Sequence, residues 1–256
     1  MSLISIITIN YNNSVGLKKT IDSVVNQSFN DYEFIVIDGK SSDDSVNVLK
    51  QFPRINFWMS EIDSGIYDAQ NKGIVKAKGK YLLFLNSGDV LANREVLKTV
   101  IPFLLGDKSF YYGNLLLEKN GVTEKHLAPS TINIDFLLNS TFWHPCVFIK
   151  SDLFKSFGLY NTAFKICGDY EFFVRCLIKP KITTEYINEF ITLFDGNGIS
   201  NDSSKIKLQE LEREKAWNEN LSSLVFDSLK KQNSFSRSKY VSIINTIQKL
   251  RGKQRF

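Results

Sequence analysis

Four small or acidic residues, Asn86-Ser87-Gly88-Asp89, directly follow an apolar run from Tyr81 to Leu85. A continuous apolar run of this length is typical of a buried strand in a parallel sheet. Side chains at the carboxyl end of such a strand face the crevice where open α/β sheets bind ligands, so Asp89 could meet a substrate or a metal ion. The same residue types also dominate turns, and these four residues alone favour a turn.

Three earlier apolar runs predict further strands, and two of them also end in polar residues. Leu3 to Ile9 ends at Asn10-Tyr11-Asn12, Phe34 to Ile37 ends at Asp38, and the third run spans Ile55 to Met59. If these strands are parallel, their carboxyl ends lie at one edge of the sheet. The sequence therefore predicts that Tyr11, Asp38 and Asp89 share one crevice.

Apolar residues at helical spacing connect these strands. Ser42 or Asp43 is expected to cap the second helix, and Gly79 is expected to end the third. Strands that alternate with helices indicate a parallel sheet covered on both faces. The three predicted helices contain Leu17 to Val25, Val46 to Leu49, and Ile66 to Ala77.

Six segments of the chain carry distinctive motifs: Thr8 to Asn12, Val36 to Asp43, Asp63 to Gly73, Phe84 to Asp89, His144, and Gly168 to Arg175. Taken in order, they resemble the inverting family 2 glycosyltransferases of the GT-A fold, especially the bacterial polysaccharide or colanic-acid type. One such motif alone would be weak evidence, but six in the family's order are strong evidence. The resemblance implies an α/β fold with a mixed, mostly parallel sheet flanked by helices.

The resemblance implies a nucleotide site at the ends of the first strands. Tyr11 would lay its ring against the base, although it could equally be a core or rim aromatic residue. Asp38 would accept a hydrogen bond from the imide N–H of the base, which favours uracil over cytosine; its alternative role is a turn cap. Asn71 and Asn86 complete the implied set, with Asn86 able to bond the ribose or to ligate a metal weakly through its carbonyl.

The metal motif departs from the family pattern. Many relatives carry Asp-x-Asp where this chain has Asn86 to Asp89, so that Asp89 alone keeps a carboxylate. Mg²⁺ or Mn²⁺ often binds through one or two carboxylates plus water and phosphate oxygens. The cation is therefore expected to arrive with the nucleotide and to neutralise the diphosphate. His144 is a second candidate, either as a metal ligand or as a diphosphate contact, although a lone His is usually structural.

The segment from Gly168 onward predicts a helix with Phe172, Phe173, Cys176 and Leu177 on its apolar side. Asp169 falls in the first turn, where the helix dipole favours an acid for purely structural reasons. In the family this position, usually written Glu-Asp, supplies the general base that deprotonates the acceptor hydroxyl. Asp169 matches the base, whereas Gly168 replaces the preceding acid.

Composition restricts the class of protein. The 256 residues are enough for one elaborated α/β unit. The absence of any run of 18 apolar residues and of a charged n-region predicts neither a membrane span nor a signal peptide, and hence a cytoplasmic protein. Three cysteines without a zinc-type spacing suit reduced thiols.

The sequence divides into a GT-A catalytic domain at 1–200 and a helical extension at 201–256. The catalytic domain splits into a nucleotide-binding half, 1–90, and an acceptor-side half, 91–200. Residues 196–200 are expected to form a loop able to close over the donor, and residues 203–231 are expected to form one long helix that carries Ile206, Leu208, Leu211, Trp217, Leu221 and Leu224.

The end of the chain is strongly basic. Residues 230–256 contain eight Lys and Arg residues and no acid, and the apolar residues from Tyr240 to Leu250 have helical spacing. A basic amphipathic helix of this kind, within 232–256, could lie on the inner membrane near a lipid-linked acceptor. Its apolar stripe could instead pack on the catalytic domain or on a second subunit in a homodimer. Nucleic acid is not expected as a partner, because the remainder of the chain is not basic.

These features predict an enzyme that transfers a sugar, with inversion, from a nucleotide-sugar donor to a hydroxyl of a glycan or lipid-linked acceptor. The donor is expected to be UDP-linked, and the pathway to be that of a cell-surface polysaccharide. A dehydrogenase would require a Gly-x-Gly-x-x-Gly turn after Ile9, which the chain lacks. A catalytically inactive nucleotide-sugar-binding subunit or scaffold is the other alternative, because the metal motif is reduced.

Overall fold

The computed structural model describes residues 2–196 and 203–233. The predicted closing loop lies outside these residues from position 197 onward, and the predicted basic tail lies outside them from position 234 onward.

Within the described residues, nine strands form one mixed sheet. Its order is β3-β2-β1-β4-β8-β6-β9-β5, and β7 pairs with β6 off this path. The strands are β1 Ile4–Asn10, β2 Tyr32–Asp38, β3 Phe57–Ser60, β4 Tyr81–Phe84, β5 Val90–Leu91, β6 Phe110–Lys119, β7 Val122–His126, β8 Val147–Lys150 and β9 Thr184–Asp195.

The four strands predicted from apolar runs form a parallel part at one end of the sheet, and β6 and β9 also pair in parallel elsewhere in it. β1 pairs in parallel with β2 and β4, and β2 pairs in parallel with β3. The register places Asn10 opposite Asp38, and Asp38 opposite Ser60. β8 then joins β4 in the antiparallel direction, so the sheet changes direction directly beside the strand that leads to Asp89. The predicted mixed α/β architecture is confirmed.

Helices cover both faces of the sheet, because each strand of the parallel part is apolar on both sides. Leu17, Val48 and Leu97 pack on one face, and Tyr67, Phe154 and Phe172 pack on the other. The helices are α1 Ser14–Val25, α2 Ser45–Lys50, α3 Ile66–Lys76, α4 Val96–Leu104, α5 Ile134–Asn139, α6 Asp152–Phe157, α7 Gly168–Leu177 and α8 Ile206–Asn220.

Two predicted helix boundaries are wrong. The N-cap of α2 is Asp44 rather than Ser42 or Asp43, and Asp43 instead accepts a hydrogen bond from the backbone N–H of Ser45 at 3.0 Å. α3 ends at Lys76, before Gly79, because Ala77 adopts an extended backbone.

The single long helix predicted for 203–231 is also wrong. A 3-10 turn at Ser203–Lys205 precedes α8, the backbone is extended at Leu221, and residues 223–233 are helical again. The break allows the Phe226 ring to stack on Trp217, with centroids 5.6 Å apart and planes 8° apart. Of the predicted apolar positions, Ile206, Leu208, Leu211 and Leu224 are exposed, whereas Trp217 is buried and packs with Phe226, which was not predicted.

None of the helices in the described part of the chain is both long enough and apolar enough to cross a membrane.

Candidate nucleotide and catalytic site

Asp38 lies at the end of β2 and has no exposed surface. Its carboxylate accepts hydrogen bonds from the Asn10 side chain at 2.8 Å, from the Ser41 backbone N–H at 3.0 Å and from the Ser60 hydroxyl at 2.6 Å. Burial raises its pKa, but the bonds from Ser41, Ser60 and Asn10 outweigh burial and hold the pKa below its ordinary value. As a buried anion, Asp38 therefore links the ends of β1, β2 and β3 through hydrogen bonds.

A different carboxylate reaches the surface beside Tyr11. Tyr11 is 66% exposed at the end of β1. A Cβ at Gly39 would lie 2.5 Å from Oδ2 of Asp63 and 3.2 Å from the Tyr11 ring, so the bare backbone of Gly39 joins these two side chains. The other oxygen of Asp63 accepts the Gly65 N–H at 3.0 Å, and burial raises the Asp63 pKa.

Sequence reasoning missed Asp63 as a separate site residue. Two signals were available: Asp63 opens one of the six family-like segments, and Gly39 supplies no side chain next to Asp38. The proximity of positions 39 and 63 depends on the loop after β3, which local patterns do not specify.

Gln70 on α3 is a second missed residue. Its side chain is buried, with 1% exposed, and its Nε2 lies 3.4 Å from Oδ1 of Asn86. Oε1 has no hydrogen-bond partner among the described residues. Buried polar atoms are nearly always paired, so this oxygen is an exception, while the Nε2 contact makes Gln70 a support for the Asn86 side chain.

Asp89 is buried beside a second carboxylate that the sequence did not indicate. Its Oδ1 accepts the backbone N–H of Asp195 at 3.2 Å, and an oxygen of Asp195 lies 3.4 Å from a Cβ placed on Gly88. Burial raises the pKa of Asp89 to about 7. The Asp195 carboxylate adds to this rise, and the hydrogen bond from the Asp195 N–H opposes it. A cation would stabilise this buried charge.

Asp169 lies in the first turn of α7, as predicted, and is only partly buried. The hydroxyl of Tyr67 lies 3.0 Å from its Oδ1 and 2.5 Å from the backbone oxygen of Ile166. Tyr67 and Gln70 belong to the same helix, α3. The helix therefore contacts Asp169 at one position and Asn86 at another.

His144 and Asn71 have structural partners. Nε2 of His144 lies 2.9 Å from the Tyr160 hydroxyl, and its ring stacks on Phe84. Burial lowers the pKa of His144, and the charge of Asp169 opposes this shift. Both ends of the Asn71 amide bond the backbone of Tyr160, at 2.9 and 3.0 Å. A metal contact by His144 and a nucleotide contact by Asn71 stay predictions without support from these contacts.

Polar contacts link the strand ends to one another. Asn10 bonds Asp38 and accepts the Ser87 hydroxyl at 2.7 Å.

Residues 5–162 match the family model described as Glycosyl transferase family 2. The chain belongs to this family.

Other glycosyltransferases are similar over most of this family 2 chain. The PGL/p-HBAD biosynthesis glycosyltransferase of Mycobacterium bovis is 27% identical over 208 residues, which cover 78% of this chain and 79% of the relative. An uncharacterized glycosyltransferase of Mycobacterium tuberculosis is 33% identical over 202 residues, covering 77% of this chain and 76% of the relative.

Solved structures share the fold of this family 2 protein. S. aureus TarS 1-349 in complex with UDP-GlcNAc has a TM-score of 0.62 at 19% identity, over 79% of this chain and 61% of TarS 1-349. The mannosyltransferase PcManGT from Pyrobaculum calidifontis, in complex with GDP-Man and Mn2+, has a TM-score of 0.59 at 14% identity, over 80% of this chain and 60% of that one. The chain thus spans about three fifths of these structures, and at such identities the likeness shows the GT-A fold alone.

A hard divalent cation would suit Asp89 of this family 2 chain, because burial and the nearby charge of Asp195 both disfavour Asp89 as a bare carboxylate. No group of three or more His, Cys, Asp or Glu side chains that could hold a metal occurs in residues 2–196 and 203–233. Oxygens from a bound diphosphate would have to complete the coordination.

Proposed function

We propose that this glycosyltransferase transfers a sugar from a UDP-sugar to a hydroxyl of a glycan or lipid-linked acceptor, with inversion, in cell-surface polysaccharide biosynthesis. The observation that carries the proposal is the partly exposed Asp169 carboxylate, oriented by Tyr67, on the side of the crevice reached by α3. Inversion in one displacement requires a base for the acceptor and no enzyme nucleophile. A well-placed carboxylate is sufficient.

In the proposed reaction Asp169 accepts the proton of the acceptor hydroxyl as its oxygen attacks the anomeric carbon. The bond from that carbon to the UDP oxygen breaks on the opposite face, which inverts the configuration. Asp89, with Asp195 alongside, would hold a divalent cation, Mn²⁺ or Mg²⁺, and a bound cation neutralises charge on the diphosphate. The amide of Asn86, held by Nε2 of Gln70 at 3.4 Å, would bond hydroxyls of the ribose or the donor sugar.

For the uracil ring of the nucleotide, Tyr11 would supply the stacking surface and Asp63 would accept the imide N–H. This changes the role expected of Asp38, since protein donors already bond its carboxylate from three sides. Among the described residues Oδ2 of Asp63 makes no hydrogen bond, and it faces the backbone of Gly39 beside Tyr11. Asp63 is therefore the better-placed acceptor.

We expect Asp63→Ala to weaken UDP binding by about tenfold or more, as for loss of a hydrogen bond to a charged acceptor, with a nearly unchanged melting temperature. Asp38→Ala should also weaken UDP binding, but through destabilisation, because it removes the acceptor of the buried Asn10 amide and of the partly buried Ser60 hydroxyl. Calorimetry with UDP and a melting curve on both variants separate the two effects.

Glu61→Gln is the matched control, because Glu61 is an exposed carboxylate two residues from Asp63. It should bind UDP like the parent protein. Unchanged UDP affinity in Asp63→Ala, together with a large loss in Asp38→Ala at an equal melting temperature, would return the acceptor role to Asp38.

Donor hydrolysis tests the function as a whole. UDP-sugars and GDP-mannose would be incubated with the protein and Mn²⁺, and the release of nucleoside diphosphate measured. Slow hydrolysis of a UDP-sugar is expected, together with a rise in melting temperature for that donor. A donor that raises the melting temperature but is never cleaved, with or without candidate acceptors, would favour the inactive binding subunit.

We also propose that the catalytic domain ends at residue 200 and that residues 232–256 serve membrane contact. We propose a cytoplasmic protein whose basic end, with eight Lys and Arg residues in 230–256, contacts the anionic inner membrane that holds the acceptor. Deleting 232–256 should release the protein from anionic vesicles in a flotation assay, and salt should weaken binding of the full chain. If deletion instead dissociates a dimer and leaves vesicle binding unchanged, the segment serves assembly.

A further inference from the structure

Tyr67 connects two of the six segments that carry the family resemblance. It lies on α3, only 4% of its surface is exposed, and its hydroxyl is 3.0 Å from Oδ1 of Asp169 on α7. The same hydroxyl is 2.5 Å from the backbone oxygen of Ile166, three residues before Asp169. The phenol therefore lies between a carboxylate and a fixed carbonyl acceptor.

Gly168 permits this arrangement. A Cβ at Gly168 would lie 2.7 to 2.8 Å from three carbons of the Tyr67 ring, far inside normal contact distance. The ring therefore packs on the bare backbone immediately before Asp169. This contact gives a physical reason for glycine at the position where the family usually has an acid.

A phenol has one proton to donate and lone pairs to accept with. When Asp169 is ionised, the hydroxyl can donate to its carboxylate. When Asp169 carries a proton, that proton can point to the Tyr67 oxygen, and the phenol proton can turn to the carbonyl of Ile166. Burial and the nearby charge of Asp169 raise the pKa of Tyr67 well above its ordinary value, so the phenol itself keeps its proton.

We propose that Tyr67 is the positioning residue of the general base, holding the Asp169 carboxylate in one orientation in both of its protonation states by turning one hydroxyl between Asp169 and Ile166. The inference rests on the proposed role of Asp169 as base. During transfer the acceptor O–H proton moves to Asp169, and the Tyr67 proton turns from Asp169 toward Ile166. No bond of Tyr67 is made or broken.

Tyr67→Phe tests the proposal, because it keeps the ring on Gly168 and removes only the hydroxyl. We expect kcat for transfer to fall by about tenfold to hundredfold, with the KM for the donor and the affinity for UDP unchanged, since the loss is felt at the base. Tyr32→Phe is the matched control: Tyr32 is also a buried phenol, donates to the Val24 carbonyl at 2.8 Å and touches none of the proposed site residues. It should change stability slightly and leave kcat unchanged.

Asp169→Asn, measured in the same assay, separates the role of Tyr67 from the role of Asp169. If Asp169→Asn is inactive and Tyr67→Phe turns over like the parent protein, Tyr67 is not a positioning residue and the base assignment stands. If Asp169→Asn is active, both fail. In the double variant, Tyr67→Phe should lower kcat no further than Asp169→Asn alone does, because the two side chains act as one unit.

Gly168→Ala provides a second test that retains the hydroxyl. The added methyl must displace the Tyr67 ring, so a similar loss of kcat at constant donor KM is expected. Parent-like kcat in a folded Gly168→Ala variant would contradict the requirement for this ring position.

Discussion

Replacing Asp169 by asparagine is expected to lower sugar transfer by about a thousandfold or more while UDP affinity stays within about twofold. General base catalysis contributes roughly 10² to 10⁴ in rate, and asparagine keeps the size and one acceptor oxygen but takes up no proton. The carboxamide oxygen can still accept the Tyr67 hydroxyl, so the start of α7 should keep its structure. Steady-state transfer and UDP calorimetry on the same preparation provide the measurement.

Asp135→Asn is the control for this substitution. Asp135 is an exposed acid in the first turn of α5, so its loss removes the same favourable interaction with a helix dipole without touching the proposed site. It should be fully active. Near-normal turnover of Asp169→Asn would show that Asp169 only stabilises its helix.

Replacing Asp89 by asparagine is expected to remove the Mn²⁺-dependent part of UDP affinity and, at the same time, to stabilise the protein without ligands. The raised pKa, about 7, means that folding must bury the ionised form above neutral pH. The free-energy cost of burying this charge is absent below the ordinary pKa of an aspartate and is complete above the pKa of Asp89 in the folded protein. The gain in stability of the asparagine variant should therefore be largest at about pH 8 and vanish near pH 4. We expect the melting temperature at about pH 8 to rise by roughly 2 to 4 °C or more.

The measurement compares UDP binding and melting curves with Mn²⁺ and with EDTA. In EDTA the variant should bind UDP as the parent protein does. Asn86→Ala should have a smaller effect on the Mn²⁺-dependent increment, since an amide carbonyl is the weaker ligand. If EDTA leaves the activity of the parent protein unchanged, the proposed metal is not required and basic side chains must stabilise the leaving group.

The parallel part of the fold could be predicted from the sequence because its signals are local. Each of the first four strands is a continuous apolar run, and two of them end in polar residues that the register later places side by side, as with Asn10 and Asp38. The helix of Asp169 was predictable for the same reason, from its apolar side and its first-turn acid.

The remainder depends on contacts between segments far apart in sequence. Asp63 reaches Tyr11 only across Gly39, and Asp195 reaches Asp89 from the end of β9. The break at Leu221, which allows Phe226 to stack on Trp217, is likewise not encoded in the helical periodicity. Sequence patterns predicted which strand ends lie side by side and missed the contacts of Asp63 and Asp195 beside them.

Because Tyr67 and Gln70 are three residues apart on α3, they differ by about 4.5 Å along the helix axis and point to the same side. One rigid element thus sets the spacing between the Asn86 side of the crevice and the carboxylate of Asp169. Movement of a loop over the crevice would change access to it but not this spacing. If Asp169 is the base, as proposed, a helix therefore preorganises it, and little of the binding energy of a substrate has to be spent on aligning it.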